Sequence, residues 1–222
     1  MNYRVLTVSR EFGSGGGRVA KAVADALGWK LLDSALIEAI ACASHVEPGV
    51  VSSYDEHVEG WLARMNRHAM RGAALAAGVV PDAKTCFDPD IMAELTRQIV
   101  EQAYTDGNCV IVGRGAQCIL QRRRDAYHVY VYAPLQDRIQ RLRTRLGPGV
   151  NIEERIRAVD EERAHYMKLR FAKAWNNPHL YDLLISSCEG EEATARVILY
   201  AMTGRSAEDS RSLADRSAAT VS

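Results

Sequence analysis

Residues 9–18 read Ser9-Arg10-Glu11-Phe12-Gly13-Ser14-Gly15-Gly16-Gly17-Arg18, and their reading decides the fold. Before them runs the apolar, β-branched segment 3–9 (YRVLTVS). After them 19–27 (VAKAVADAL) has helical spacing and stops at Gly28. A strand, a glycine-rich turn and a helix start make an anion site: glycines let the backbone approach, and the free N–H groups and the helix dipole favour phosphate. Two readings of the loop compete. Gly15-Gly16-Gly17-Arg18-Val19-Ala20 fits the dinucleotide pattern GxGxxA, with Asp33 ending the second strand where a ribose-binding acid belongs. The P-loop GxxxxGK[ST], laid with its second glycine on Gly15, puts Arg10 at the first glycine, Gly16 at the lysine and Gly17 at the Ser/Thr. The loop alone leaves both open.

Working outward, four more apolar runs read as strands: 29–33 (WKLLD), 108–113 (NCVIVG), 127–133 (YHVYVYA) and 181–186 (YDLLIS). Most are nearly continuous in apolar residues, as strands buried on both faces are. Helical spacing fills 91–104 (Ile91, Leu95, Ile99, Ala103), 135–146 and 152–171. This alternation predicts an α/β three-layer fold with a parallel sheet of about five strands. Segment 35–90 holds no convincing strand and reads as an inserted helical subdomain within a single domain, 1–203. The Ser-, Ala- and charge-rich 204–222 reads as a disordered tail.

The whole chain narrows the function classes. Its 222 residues suit one domain with an insert. Lys+Arg and Asp+Glu are 28 each, so the net charge is zero, which argues against a global grip on nucleic acid or an acidic membrane. No apolar run approaches the roughly 18–20 residues that span a bilayer. The start, MNYRVLTVSREF, has an apolar core too short for a signal peptide. The five cysteines (Cys42, Cys86, Cys109, Cys118, Cys188) are scattered without a CxxC, as reduced thiols of a cytoplasmic protein would be.

Downstream context separates the loop readings. The third strand ends in Val112-Gly113-Arg114-Gly115, which points an arginine into the ligand crevice of an open α/β sheet. After the fourth strand, Arg138, Arg141 and Arg145 share a helix face, and Asp160-Glu161-Glu162-Arg163-Ala164-His165-Tyr166 sits on the next helix. A dehydrogenase has little use for so many arginines there. Phosphoryl transfer does, because its catalysis is positioning plus neutralisation of phosphate charge.

From about Arg4 to Glu189 the ordered set resembles the cytidylate kinase-like family, a branch of the nucleoside monophosphate kinases. It rests on 9–16 with Val19-Ala20-Lys21, Leu32-Asp33, Val112-Gly113-Arg114-Gly115, Tyr132-Ala133-Pro134-Leu135, and 175–186 (WNNPHLYDLLIS). Classical cytidylate kinases carry GSGKS where this chain has Gly13-Ser14-Gly15-Gly16-Gly17, and the kinase-like branch tolerates that loss of lysine. The resemblance implies a P-loop kinase fold and ATP- and Mg2+-dependent phosphorylation of a nucleoside monophosphate, CMP or dCMP first. It implies that Gly13, Ser14, Gly15, Gly16 and Gly17 wrap the ATP phosphates and that Arg18 supplies the missing lysine charge. Asp33 lies near the acceptor nucleotide, which the insert helps to bind. Arg114 grips the acceptor phosphate, with Gly115 standing where the classical motif has Asp. Arg138 and Arg141 lie where a lid, within 138–170, closes over ATP. Arg163 reaches the transferring phosphate, with Asp160 as its partner. Ser14, Glu11 or Asp33 would hold Mg2+ through water. The rivals are a nucleotide-binding regulatory module with little catalysis and an NAD(P)-binding oxidoreductase. Lys21 is expected in solvent, His165 on a helix surface, and His128, Trp61, Trp175 and Tyr166 in packing.

Overall fold

The computed structural model describes residues 3–33, 37, 89–146 and 149–204. The expected insert therefore lies mostly outside the described residues, as do Trp61 and 205–222 of the expected tail. The chain divides into two compact units, Met1–Asp33 with Val100–Ser222, and Ser34–Ile99.

The runs rich in Val, Ile and Tyr form β1 (Val5–Arg10), β2 (Lys30–Leu32), β3 (Cys109–Val112), β4 (Ala126–Tyr132) and β5 (Leu183–Ser186). All pair in parallel, in the order β2-β3-β1-β4-β5. Leu6 lies opposite both Val110 and Tyr127, and Thr7 opposite Ile111 and His128. The described helices, numbered in chain order, are α1 (Gly16–Leu27), α2 (Pro89–Asp106), α3 (Ala116–Ile119), α4 (Leu135–Leu146), α5 (Ile152–Phe171) and α6 (Glu191–Thr203).

Strand alternation sorts the core into layers. Leu6, Val8, Val110, Val112, Val129 and Val131 pack with Val19 and Val23 of α1 and with Ile198 and Leu199 of α6. Tyr130 points to the opposite face, against Met167 of α5, Leu180 and Tyr181. Ile139 and Leu142 of α4 meet Ile152 and Ile156 of α5, with Phe12 packed on them. None of the described helices is long and apolar enough to cross a membrane.

Because every strand is parallel, all carboxyl ends lie on one edge. β1 is central, with β3 and β2 on one side and β4 and β5 on the other. Such a switch point opens a ligand crevice outside the strand ends. Arg10, Asp33, Gly113, Ala133 and Ser187 all stand at or just past these ends.

Some boundaries differ from expectation. Helix α1 starts at Gly16, three residues before the apolar spacing begins, so two glycines form its first turn. Strand β5 starts at Leu183, because Pro178–Leu180 is a 3-10 turn capped by the Asn177 side chain. Helices α4 and α5 have the expected bounds.

Candidate nucleotide-binding site

The loop between β1 and α1 needs its glycines for different reasons. Gly13 (φ 84°) and Gly15 (φ 81°) are left-handed, a region costly for a residue with a Cβ. A Cβ at Gly13 would also stand 2.9 Å from Leu142 Cδ1 and 3.0 Å from Arg138 Cβ. At Gly15 it would run into the Glu191 carboxylate, and at Gly16 it would come within 2.5 Å of Arg10 Cβ. Around Gly17 nothing lies within 4 Å.

The loop is tied down from inside and outside. The buried Ser14 hydroxyl donates to the Glu11 carbonyl (2.9 Å) and accepts weakly from Gly16 N (3.4 Å). The Ser14 carbonyl accepts from Arg141 Nη1 (2.9 Å) and from the Ser187 hydroxyl (2.5 Å). Arg141 also donates to Ser187 Oγ (2.9 Å) and to the Ser187 carbonyl (2.6 Å). Asp160 accepts from Phe12 N (2.8 Å) and from Arg138 Nη1 (2.5 Å), and Arg138 donates to the Phe12 carbonyl (3.3 Å). Glu11 accepts from Ala133 N (3.1 Å) and lies 3.6 Å from Arg138 Nε. Arg138, with its side chain 11% exposed, and Arg141 thus reach the loop from α4 and hold its carbonyls.

Beside the loop stands a cluster of arginines. Arg163 of α5 donates to the Arg10 carbonyl (2.7 Å), lies 3.6 Å from Asp160, and sits over the Phe12 ring. Burial first, then the charges of Arg163 and Arg114, push the Arg10 guanidinium down to about 10, with Asp33 acting against them. Arg163 is also pushed down, chiefly by burial, with Asp160 opposing. Three left-handed residues in a row, Gly113 (φ 80°), Arg114 (φ 56°) and Gly115 (φ 69°), turn the chain sharply after β3. A Cβ at Gly113 would collide with the Arg10 guanidinium, and one at Gly115 with the Phe171 ring. That ring fills the volume an Asp at 115 would need.

Of the remaining expected residues, Asp33 acts on Arg10 by its charge, and the others lie apart from this convergence. Arg18 is 55% exposed and pairs with Glu191 (2.5 Å). Lys21 is exposed and pairs with Asp25 (2.7 Å) one turn on. Asp33 is exposed just past β2. His128 is buried against the Thr7 hydroxyl (2.7 Å), and burial lowers its pKa. His165 is exposed, while Tyr166 and Trp175 pack around Tyr130. Cys109, Cys118 and Cys188 are free.

Three residues escaped the sequence reading: Arg10, Ser187 and Glu191. Arg10 was visible as a failed first glycine of the P-loop pattern and as part of the 9–16 motif, with no role of its own. The acidic pair Glu191-Glu192 after Gly190 was a helix-start signal for α6. Nothing in the sequence marked Ser187.

The donor set fits a polyphosphate: a left-handed glycine cradle, a helix N-terminus and neighbouring arginines. For Mg2+ the fit is narrower. Ser14 Oγ is buried in the turn and Glu11 is engaged by Ala133, while Asp33 is exposed at the sheet edge. Among the described residues no three His, Cys, Asp or Glu cluster as a metal site.

Comparison with known proteins agrees with this architecture. An uncharacterized protein from Eubacterium ventriosum superposes with a TM-score of 0.64 at 17% identity, over 91% of this chain and 99% of that one. A gluconokinase from Sinorhizobium meliloti superposes with a TM-score of 0.50 at 12% identity, over 98% and 99% of the two chains. These likenesses establish a shared α/β fold. No curated protein matches the chain. A family model matches residues 5–189, from the first strand to the start of the last helix, and on that span the chain belongs to the cytidylate kinase-like family.

Proposed function

We propose that the chain transfers the γ-phosphoryl group of ATP, with Mg2+, to the phosphate of a nucleoside monophosphate, CMP or dCMP first. Membership of a kinase-like family supports nucleotide-dependent phosphoryl transfer. The observation that carries the reading is the convergence of the glycine loop with Arg10, Arg114 and Arg163 at the carboxyl edge of the sheet. Such a site has cations for phosphate charge and needs no protein nucleophile, because an acceptor phosphate oxygen attacks in line.

In this reading the cradle of Gly13, Gly15, Gly16 and Gly17 binds the donor phosphates at the start of α1. ATP would supply the group transferred, and Asp33, an exposed carboxylate just past β2, would hold Mg2+, which would supply screening of phosphate charge. Arg114 holds the acceptor phosphate, and Arg163 neutralises charge between the two substrates. Arg138, Arg141 and Asp160 are positioning residues, because they fasten the loop backbone. Free cysteines suit a cytoplasmic setting.

The test is a coupled ADP-release assay with ATP, Mg2+ and a panel of monophosphates. Turnover with CMP or dCMP, falling at least a hundredfold in Arg114→Ala, is the expected result, as for loss of one preorganised charge worth about 2.7–4 kcal/mol. A second reading, a nucleotide-binding regulatory module, is favoured by Gly16 and Gly17, where lysine and hydroxyl are missing. ATP binding without ADP release on any acceptor would establish that module and sink the enzyme.

A further inference from the structure

We propose that a cleft beside α5 is a second binding site, one that takes a small aromatic anion. The inference goes beyond the phosphotransferase reading and does not depend on it.

The first argument is space. A cleft of about 490 Å3 opens between α5, Tyr130 of β4 and the turn that follows α5. Sites for small molecules run from about 300 to 1,000 Å3. Arg157, Glu161, Ala164 and Lys168 line it from α5, and their spacing of three to four residues puts them on one stripe of the helix. A different side of α5 serves the arginine cluster: Arg163 donates to the Arg10 carbonyl, and the Tyr166 hydroxyl reaches the Arg114 carbonyl (3.5 Å). Among the described residues, Arg10, Arg114 and Arg163 take no part in lining the cleft. Glu11 and Asp160 form the wall it shares with the glycine loop.

The second argument is a flat, fixed wall. Trp175 is half-buried in the cleft and meets Tyr130 edge-on, with ring centroids 5.5 Å apart and planes at 74°. Tyr130 itself is buried against Met167, Leu180 and Tyr181. The Trp175 carbonyl accepts from the Tyr181 hydroxyl (2.8 Å). Side chain and backbone at 175 are thus both held. An indole fixed in this way binds a flat ring with little ordering cost.

The third argument is charge. The carboxylates of the shared wall are engaged: Asp160 by Phe12 N, Arg138 and Arg163, and Glu11 by Ala133 N and Arg138. Arg157 and Glu161, one turn apart on the same stripe, offset each other. Lys168 and Lys173 remain, both exposed at the rim, and neither ammonium group has a hydrogen-bond or ion-pair partner among the described residues. Two spare positive charges beside an aromatic wall call for a ring that carries negative charge. Ammonium groups on flexible stems accept a carboxylate, sulfonate or phosphate alike.

The experiment is calorimetric titration of the full chain with naphthalene-1-sulfonate, a flat ring bearing one negative charge. Methanesulfonate supplies the charge without the ring, and 1-naphthol the ring without the charge. The expected result is that naphthalene-1-sulfonate binds tighter than either by about tenfold or more. Lys168→Met combined with Lys173→Met should weaken it by about fivefold, the effect of two exposed charges, and Trp175→Leu by a similar factor. Both lysines are exposed, so the double variant carries the test if Trp175→Leu does not fold. Arg114→Ala should leave the affinity within about twofold, because it is remote from the cleft. No binding by the wild type, equal binding of 1-naphthol or methanesulfonate, or unchanged affinity in the double lysine variant overturns the proposal. So does a loss in Arg114→Ala, which would place the probe at the arginine cluster. Because no turnover is read, absence of kinase activity on every monophosphate would sink the phosphotransferase reading and leave this result standing.

Discussion

The glycine loop and the arginine cluster sit side by side at the end of β1, and they are built on opposite principles. In the loop, charge and hydrogen bonding are matched: Asp160 against Phe12 N and Arg138, and Ser14 O against Arg141 and Ser187. In the cluster, Arg10 and Arg163 are desolvated beside another arginine, and Arg10 is pushed down by like charge. The first region is finished by the protein itself. The second gathers like charges in a buried place, with Asp33 and Asp160 acting against them. Mutations should therefore cost stability at the loop, whereas anions should add stability at the cluster.

The largest effect is expected from Asp160→Ala. It strips the Phe12 amide of its acceptor and leaves Arg138, 11% exposed, without its closest carboxylate. Removing one member of a buried pair costs about 3–5 kcal/mol. For a domain of this size that lowers Tm by on the order of 10 °C. Denaturant unfolding checks it. A loss below about 1 kcal/mol would mean that the loop is not held by this carboxylate, and the contrast between the two regions would fail.

Gly13→Ala comes next. The left-handed φ of 84° costs about 1–2 kcal/mol for alanine, and the contacts at 2.9–3.0 Å with Leu142 and Arg138 add overpacking. The expected total is about 2–3 kcal/mol, read by the same unfolding measurement.

The cluster should respond to anions instead. Inorganic phosphate at ten times its dissociation constant should raise stability by about 1.4 kcal/mol through mass action. The gain should vanish in Arg114→Ala and persist in Arg141→Met, because Arg141 is turned to the loop carbonyl. Thermal shift against phosphate concentration reads both. Equal gains in the two variants would erase the distinction.

Legibility followed the same divide. The strand–helix alternation was written in the apolar runs, and α4 and α5 in their periodicity, because local pattern and burial agree there. The start of α1 at Gly16 was hidden, since glycine has poor helix propensity and tertiary contacts with Arg10 and Ser14 hold that turn. Arg114 and Arg163 emerged from the ordered motifs. Arg10 did not: whether a strand's last side chain faces the loop depends on parallel register with β3 and β4, which no single segment encodes. The expected place of Arg18 over the phosphates rested on its closeness in sequence to the loop, and a nearby carboxylate, Glu191, engages it instead.

The smallest effect separates the two neighbours Gly16 and Gly17. Gly17 lies in the first turn of α1 with open space around it and no left-handed φ. Gly17→Ala should therefore stabilise the fold by about 0.4–1 kcal/mol, because the unfolded chain loses freedom and the folded one gains no clash. Gly16→Ala, one residue earlier, meets Arg10 Cβ at 2.5 Å and should destabilise it, by about 1–3 kcal/mol of overpacking. Opposite signs at adjacent glycines, read in one pair of melts, would show that the run answers two demands. Gly16 makes room for the side-chain stem at position 10, while nothing in the packing requires Gly17. If both substitutions destabilised alike, the glycines would be serving the turn alone.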